Sequence, residues 1–441
     1  MRCVDLAKIF NHAHATPVSF SRVCIDSRQV EPGDLFIAIV GETFDGHDYI
    51  SQAIARGAVA VVGTRMPPDL HVPQFVVQDS VQALASLASA HRDTLHCPVI
   101  AVTGSNGKTT VKEMIAQILP SPSFSTPGNL NNHLGVPLSL LQCQAHHQYA
   151  VFELGANHIG EIAYTAALVK PSVALINNIA PAHLEGFGRI EGVVRAKGEI
   201  YQALNADGVA VINDDDYYAH AWDADVAQKQ VVRFSTQRPT TIHAQAIHLD
   251  EKGCATFTLV TPQAEHRLSL RVPGVHHVHN ALAAAACCYA AGVPLTHVLQ
   301  GLSDFSGVSG RMTERVGLHG ARILDDTYNA NLRSTLTALE VLAPCAGQRF
   351  FVFGDMGELG ALSEEHHAQV GLKARALGID VLMSCGRLSA ATSQAFGPGA
   401  QHYATQEELL AALLPQLNEK TTILVKGSRS AGMERVVRQL I

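Results

Sequence analysis

The stretch Val99-Ile100-Ala101-Val102-Thr103-Gly104-Ser105-Asn106-Gly107-Lys108-Thr109-Thr110 decides the fold. Four apolar residues, three of them β-branched, form a short continuous run of the kind that fills a strand buried on both faces. The run breaks into a glycine-rich turn, and a helical pattern begins at once and continues to about Leu119. Glycine lets backbone N–H groups come close to phosphate oxygens, and the start of a helix adds a fixed positive end. A lysine at 108 would reach the β- and γ-phosphates, and the Thr109 hydroxyl would ligate magnesium. The spacing departs from G-x-x-x-x-G-K-[ST], because Gly104 lies three residues before Gly107 rather than five. A glycine turn that binds nothing is the plain alternative.

Working outward, the same strand–helix rhythm recurs. Tyr149–Gly155, Ser172–Ile179 and Gly208–Asp214 read as strands with helical segments among them. On the amino side, short strand-like runs at Asp34–Val40 and Ala58–Gly63 alternate with turns such as Glu31-Pro32-Gly33, and a helix is expected over Val81–His91. Phe305–Gly310, FSGVSG, reads as a hinge. Beyond it Arg322–Tyr328, Arg349–Asp355, Val381–Gly386 and Thr421–Gly427 read as strands of a second doubly wound unit. Strands separated by helices imply mostly parallel α/β sheets. The expected organisation is three α/β domains. Residues 1–80 form a small mixed domain, 81–309 a central domain of P-loop type, and 310–441 a Rossmann-like domain.

Length and composition agree. At about 150 residues per domain, 441 residues give roughly three. Apolar residues at 47% can fill several cores. The net charge of −7, without a basic block, argues against nucleic acid as the main partner. No apolar run is long enough to span a bilayer, and no signal-peptide pattern opens the chain, so a cytoplasmic location is expected. The nine dispersed cysteines read as reduced and mostly packing, and most of the 23 histidines as ordinary, with His276, His277 and His279 preceding a helix.

Two strand ends offer metal ligands near the loop. Glu153 ends one run and His183 follows another, and with Thr109 they could share one magnesium. Magnesium prefers oxygen, so by residue type His183 is more often a loop histidine. In Arg189–Leu204, Lys197 falls on the stripe of Ile190, Val193, Val194, Ile200, Tyr201 and Leu204. It must snorkel, find a carboxylate, lose its proton or be modified. A neutral amine could capture carbon dioxide and become an anionic oxygen ligand.

Ten strings carry a resemblance. They are DSRQVEPGDLFIAIVGETFDGHDYI from Asp26, TGSNGKTT, TPGNLNNHLGVPLSLL, ELGANHIGEI, NNIAPAHLEGFG, AKGEI, GVHHVHNALAAAA, GRM at Gly310, DDTYNAN and FGDMGELG. Over essentially its whole length the chain resembles the Mur ligases, ATP-dependent amide-forming enzymes of bacterial peptidoglycan synthesis. GNLNNHLGVPLSLL, ELGANHIGEI and DDTYNAN resemble the member that joins D-alanyl-D-alanine to UDP-N-acetylmuramoyl-tripeptide, through an acyl phosphate. Leu332 departs from the proline usual there.

The resemblance implies roles. Gly104, Ser105, Asn106, Gly107, Lys108, Thr109 and Thr110 would hold the ATP phosphates, and Asn280, Arg311 and Asp326 would complete the nucleotide site. Thr109, Glu153, His183 and a carbamylated Lys197 would serve magnesium. Ser27, Arg28, Asp45, Gly46 and His47 would face the UDP moiety. Asn129, Asn131 and Asn132 would position the sugar-peptide, and Asn329 and Asn331 the incoming dipeptide. Plainer readings stand beside these: Asp326 as a strand terminator, Asn280 as a helix cap, Ser27 and Arg28 as a polar turn. The implied partners are small molecules and the expected state is a monomer. Competing activities are the ligase that adds the third residue of the same peptide, disfavoured by the absence of D-N-P-R, a folylpolyglutamate synthase, which would leave the DSR…DGH segment unexplained, and a P-loop ATPase of another class.

Overall fold

The computed structural model describes residues 2–4, 6–10, 18–181 and 184–441. Three α/β sheets follow one another along the chain. The first is a four-stranded parallel sheet in the order Val23–Cys24, Leu35–Ile37, Ala60–Gly63, Gln74–Val76, beside an antiparallel pair Arg2–Val4 and Val18–Phe20. The expected strand over Asp34–Val40 is shorter. Past Ile37 the chain turns, and Val40 only bridges Asp45.

The central sheet has nine strands. Their order is Glu265–Pro273, Cys254–Val260, Ile242–Leu249, Gln230–Ser235, Val209–Asn213, Val173–Ile176, Val99–Thr103, Tyr149–Glu153, Ser123–Ser125. All neighbours are parallel except the last hairpins, Ile242–Leu249 with Cys254–Val260 and Cys254–Val260 with Glu265–Pro273. The sequence reading does not predict this antiparallel trio, although Cys254–Val260 alternates between half-exposed and buried positions as a strand with one wet face does.

The reason for the long parallel run is visible in Val99–Thr103. Val99 and Ala101 enter one core and Ile100 and Val102 another, so both faces are dry. The first of these cores also takes Leu35, Ile37, Ala60, Val62 and Phe75 of the small sheet, which fuses the amino-terminal unit to the central one. The C-terminal sheet runs Thr313–Val316, Arg322–Asp326, Thr421–Lys426, Gln348–Gly354, Val381–Cys385, Ala400–Tyr403, with only the first strand antiparallel. Phe351 and Phe353 fill one face, Phe350 and Val352 the other. Each buried side chain of this size contributes roughly 1.5–3 kcal/mol.

The helix His276–Ala290 contains His276, His277 and His279 in its first turns, so they do not precede it as expected. Leu332 opens the helix Leu332–Leu342 behind the cap Asn331. That first position has no intrahelical acceptor for its N–H, so proline and leucine are both tolerated there.

Candidate active site

The carboxyl ends of the central and C-terminal sheets face one another across a cleft of about 470 Å³, within the range of small-ligand sites. The phosphate loop forms its floor. Gly104 sits at φ +144° and Gly107 at +78°, the latter at the cap of the helix Lys108–Ile118. A Cβ on Gly107 would stand 2.6 Å from Asn177 Nδ2 and 2.7 Å from Asn280 Oδ1, so conformation and space both demand glycine.

The loop's donors divide in two. The amides of Ser105 and Asn106 are spent on Asn178, donating to its backbone oxygen (2.9 Å) and Oδ1 (2.9 Å). The amides of Lys108, Thr109 and Thr110 open the helix and have no acceptor within it. With the Gly107 amide at the cap, they are donors available to an anion. Lys108 curls back, donating to Gly104 O (2.8 Å) and Ser105 O (3.3 Å). Burial lowers its pKa; Glu153 opposes that shift and Arg311 adds to it.

Thr109, Glu153 and Arg311 form a chain. The Thr109 hydroxyl donates to Glu153 Oε2 at 2.7 Å, Asn131 Nδ2 donates to Glu153 Oε1 at 2.7 Å, and Arg311 Nη2 donates to Thr109 Oγ1 at 2.8 Å. The Arg311 guanidinium lies 4.0 Å from the Tyr328 ring centre, and its Nε is buried without a partner. Asn106 Nδ2 is likewise buried and unpartnered. Orphaned donors beside a phosphate loop are what an anionic ligand would satisfy.

Lys197, on the helix Ile190–Gln202, is 2% exposed. Among the described residues its amine has no hydrogen-bond or ion-pair partner; it stands 5.6 Å from the Phe187 ring centre. Burial, then the charge of Lys108, pushes its pKa far down. It does not snorkel. His183 lies outside the described residues. Among those described, no group of three or more His, Cys, Asp or Glu side chains gathers to hold a metal. The Thr109 hydroxyl and the Glu153 carboxylate are hard oxygen donors that fit magnesium, and Lys197 would fit only as an oxygen donor, not as a bare amine.

The opposite wall comes from the C-terminal sheet. Asp326 accepts from Met312 N (3.1 Å) and pairs with buried Lys426 (2.5 Å), which also donates to Asn329 O. Asn331 caps its helix and donates to Asn106 Oδ1 at 2.8 Å. Asn280 is not a helix cap. It lies inside His276–Ala290, 6% exposed, and accepts from Asn177 Nδ2 at 3.2 Å.

Other expected residues stand elsewhere. Asn132 reaches the cleft, but its Oδ1 caps the helix Gly135–Leu140 through Gly135 N (2.7 Å); Asn129 is exposed outside the lining. Ser27, Arg28, Asp45, Gly46 and His47 form a separate group on the first sheet. Ser27 bonds Gln52, and Arg28 grips Asp26, holding that carboxyl at about 2. His47 is locked between Asp45 Oδ1 (2.6 Å) and Thr64 N (2.9 Å).

Several lining residues were not anticipated: Asn177, Asn178, Asp215, His276, His277, Arg333 and Lys426. Asn177 and Lys426 were discoverable, since each lies near the carboxyl end of a strand expected from the sequence, Ser172–Ile179 and Thr421–Gly427. The histidines carried no such signal. His277 is 2% exposed with both ring nitrogens unpartnered, and burial drives its pKa well down.

Comparison with known proteins covers nearly the whole chain. Three family profiles match: "Mur ligase family, catalytic domain" at residues 19–92, "Mur ligase middle domain" at 102–288, and "Mur ligase, glutamate ligase domain" at 310–429. The UDP-N-acetylmuramoyl-tripeptide--D-alanyl-D-alanine ligase of Escherichia coli is 45% identical, over 96% of this chain and 94% of its own. The enzyme of the same name from Haemophilus influenzae is 42% identical over the same shares. MurF from Acinetobacter baumannii superposes with a TM-score of 0.92 at 37% identity, covering 99% of this chain and 97% of its own. MurF from Thermotoga maritima in complex with ADP gives 0.84 at 27% identity, covering 95% and 96%.

Proposed function

The chain belongs to the Mur ligase family, and we propose that it joins D-alanyl-D-alanine to UDP-N-acetylmuramoyl-tripeptide with cleavage of ATP. The observation that carries this reading is full-length likeness, 45% identity over 96% of the chain, to a curated relative named for that reaction. The organisation that goes with it divides the chain at residues 80 and 309, into a UDP-substrate unit, an ATP unit and a unit completing the ATP and dipeptide sites. A monomer working in the cytoplasm belongs to the same reading, and no described helix is long and apolar enough to cross a membrane.

A carboxylate is a poor acyl donor because oxide is a poor leaving group. Transfer of the γ-phosphoryl group makes an acyl phosphate, and the dipeptide amine then displaces phosphate. The chain's part is positioning and charge. The free amides of Lys108, Thr109 and Thr110 receive phosphate oxygens. Lys108 leaves its two carbonyls and turns to them, where the added negative charge raises its depressed pKa and keeps it charged. Arg311 supplies a second cation across the cleft and its orphaned Nε a further donor. Asn280 and Asp326 flank the nucleotide, Ser27 to His47 hold the UDP end, Asn131 orients the sugar-peptide beside Glu153, and Asn329 meets the dipeptide.

Thr109, Glu153 and His183, together with Lys197 once carbamylated, would hold magnesium, which when bound neutralises phosphate charge. Lys197 suits modification because its amine is desolvated, unpaired and largely neutral, and only a neutral amine adds carbon dioxide.

The test is phosphate release from ATP with UDP-muramoyl dipeptide and tripeptide acceptors crossed with free amino acids and D-alanyl-D-alanine. Turnover is expected only for tripeptide with D-alanyl-D-alanine. Turnover of the dipeptide acceptor with a single amino acid would assign the third-residue reaction instead, and release without an acceptor amine would assign an ATPase.

A further inference from the structure

A second lysine of the phosphate-loop helix is spent away from the cleft. Lys112 lies in Lys108–Ile118, four residues after Lys108 and three after Thr109. It is fully buried and does not line the cleft. Its amine pairs with Glu113, which is partly exposed, and donates to Thr126 O at 3.0 Å. An apolar side chain is the ordinary occupant of such a position, because burying an amine is costly unless it is paired and hydrogen-bonded.

Thr126 is a junction. It directly follows the edge strand Ser123–Ser125 and is 1% exposed. Its N–H donates to Val151 O (3.0 Å), its Oγ1 accepts from Glu153 N (3.0 Å), and its carbonyl accepts from Lys112. Residues 127–132 then form the loop that carries Asn131. Asn131 O accepts from Gly155 N (2.8 Å), and its Nδ2 holds Glu153 Oε1. The bonds close a ring. Lys112 reaches Thr126, Thr126 the Glu153 backbone, the Glu153 carboxylate Thr109, and one turn of helix returns from Thr109 to Lys112. Of these four, Thr109 and Glu153 line the cleft and the other two stand behind it. Without the Lys112 bond, Thr126 is hydrogen-bonded to the strand Tyr149–Glu153 alone.

We propose that Lys112 is a positioning residue: through Thr126 it fixes the Asn131 loop against the phosphate-loop helix, and so aligns the acyl carboxylate with the γ-phosphate. This rests on the ligase reading, in which Asn131 orients the sugar-peptide and residues 104–110 hold ATP. Two substrates that react with each other must be held by parts that do not drift apart, and a misplacement of about 1 Å costs on the order of a hundredfold in rate. The phosphate loop keeps its own support from Asn178. The loss therefore belongs in kcat, with KM for ATP little changed. A lysine that serves only to balance Glu113 makes the opposite prediction, that Glu113 matters as much as Lys112.

The test compares the full-length wild type with Lys112→Met and Glu113→Gln. Methionine fills the stem's space without the amine, and glutamine keeps an oxygen for it. Phosphate release with tripeptide and D-alanyl-D-alanine should show kcat about a hundredfold lower in Lys112→Met, with KM for ATP within about threefold. Glu113→Gln should stay within about threefold of wild type in both. Hydrogen exchange read by mass spectrometry reports the anchor without turnover. Peptides covering 127–132 should exchange at least about tenfold faster in Lys112→Met, while those of the strand Gln348–Gly354 are unchanged. A kcat within about threefold of wild type, an equal loss in Glu113→Gln, or unchanged exchange at 127–132 would overturn the assignment. A wild type that does not turn over these substrates would overturn the ligase reading instead, and the exchange result would still decide whether Lys112 anchors the loop. Should Lys112→Met not fold, Thr126→Val and Thr126→Ser take its place. The valine should show the same split, and the serine, which keeps the oxygen, should stay within about threefold of wild type; equal values for the two would overturn the ring.

Discussion

At the scale of single residues, the proposed site turns on two amines, half-buried Lys108 and buried Lys197. Lys108→Ala should abolish ligation, by about a thousandfold or more, while the unfolding midpoint moves little, because the lysine's partners are two loop carbonyls. Phosphate release at saturating ATP and a thermal melt check both halves. Lys197→Ala should lose most activity, and short carboxylates such as acetate should restore part of it by filling the vacated space with an anion. Bicarbonate depletion should slow the wild type and leave the variant unchanged. Lys197 was legible because a lysine on an apolar helical stripe is conspicuous. His277 was not, since a histidine in a sequence carries no sign of its surroundings. Its consequence is a pH dependence. The folded pKa lies well below 6.5, so below pH 6.5 the unfolded chain binds a proton that the native state refuses. Stability from this residue is therefore fully present above pH 6.5 and declines as pH falls toward the folded value. His277→Leu should remove up to about 2 kcal/mol of the loss between pH 6.5 and 5. Urea midpoints at the two pH values measure it, and an unchanged slope would show that another group titrates there.

At the scale of elements, the helix Ile190–Gln202 shows what periodicity reveals and what it hides. Its apolar stripe predicted the helix and the buried lysine. It said nothing of Glu199, which is also buried because it serves a neighbour. Glu199 Oε1 accepts from Gly160 N (2.8 Å) and Oε2 from Ala163 N (2.9 Å), capping the helix Glu161–Val169 from outside. Tyr201 likewise donates to Val211 O (2.7 Å). Gly198 lets Trp222 pack close: a Cβ there would stand 2.5 Å from Trp222 Nε1. Glu199 and Tyr201 answer backbone groups on other elements, and such partnerships are not written in local spacing. Glu199→Ala should cost about 2 kcal/mol, the loss of a buried charged cap on a helix start, and Glu199→Gln about half as much. Equal urea midpoints for Glu199→Ala and wild type would mean that water replaces the carboxylate. The strands were easier to read than this helix. β-branched runs announce strands buried on both faces, whereas the antiparallel trio after Ile242 alternates polar and apolar residues and went unpredicted.

At the scale of the molecule, two doubly wound sheets were legible from their strand–helix rhythm, but the clasp between them was not, because it joins residues some 150 to 225 positions apart. Among the described residues three hydrogen bonds cross the cleft, Arg311 to Thr109, Asn331 to Asn106, and Arg333 Nη1 to Ile179 O, each at 2.8 Å, and Arg322 Nη2 to Lys252 O (2.9 Å) joins the two units outside it. At roughly 1 kcal/mol each, they hold the C-terminal unit weakly. The linker contributes two glycines at positive φ, Gly307 (+100°) and Gly310 (+72°), around which the backbone can turn. The clasp also conflicts with the chemistry. Arg311 occupies the Thr109 hydroxyl that the proposed magnesium site would use, so on that reading the phosphates enter an opened cleft. Closure must then be rebuilt around phosphate charge, with Arg311 shifting from the hydroxyl to the ligand. Water is excluded only in that second closed state, where the acyl phosphate needs protection. The free protein should therefore sample open forms, and a nonhydrolysable ATP analogue with tripeptide substrate should shrink its radius of gyration. Asn331→Ala combined with Arg333→Ala removes two of the three cleft bonds but leaves those of Arg311 and, outside the cleft, Arg322. The free double variant should be more expanded than the wild type, and the ligands should compact it by more, because the phosphate–Arg311 contact remains. Small-angle scattering of the four samples decides the matter. Profiles identical with and without ligands would mean that the cleft admits ATP without opening, and an unexpanded double variant would locate the clasp in Arg311 and in the Arg322 to Lys252 bond.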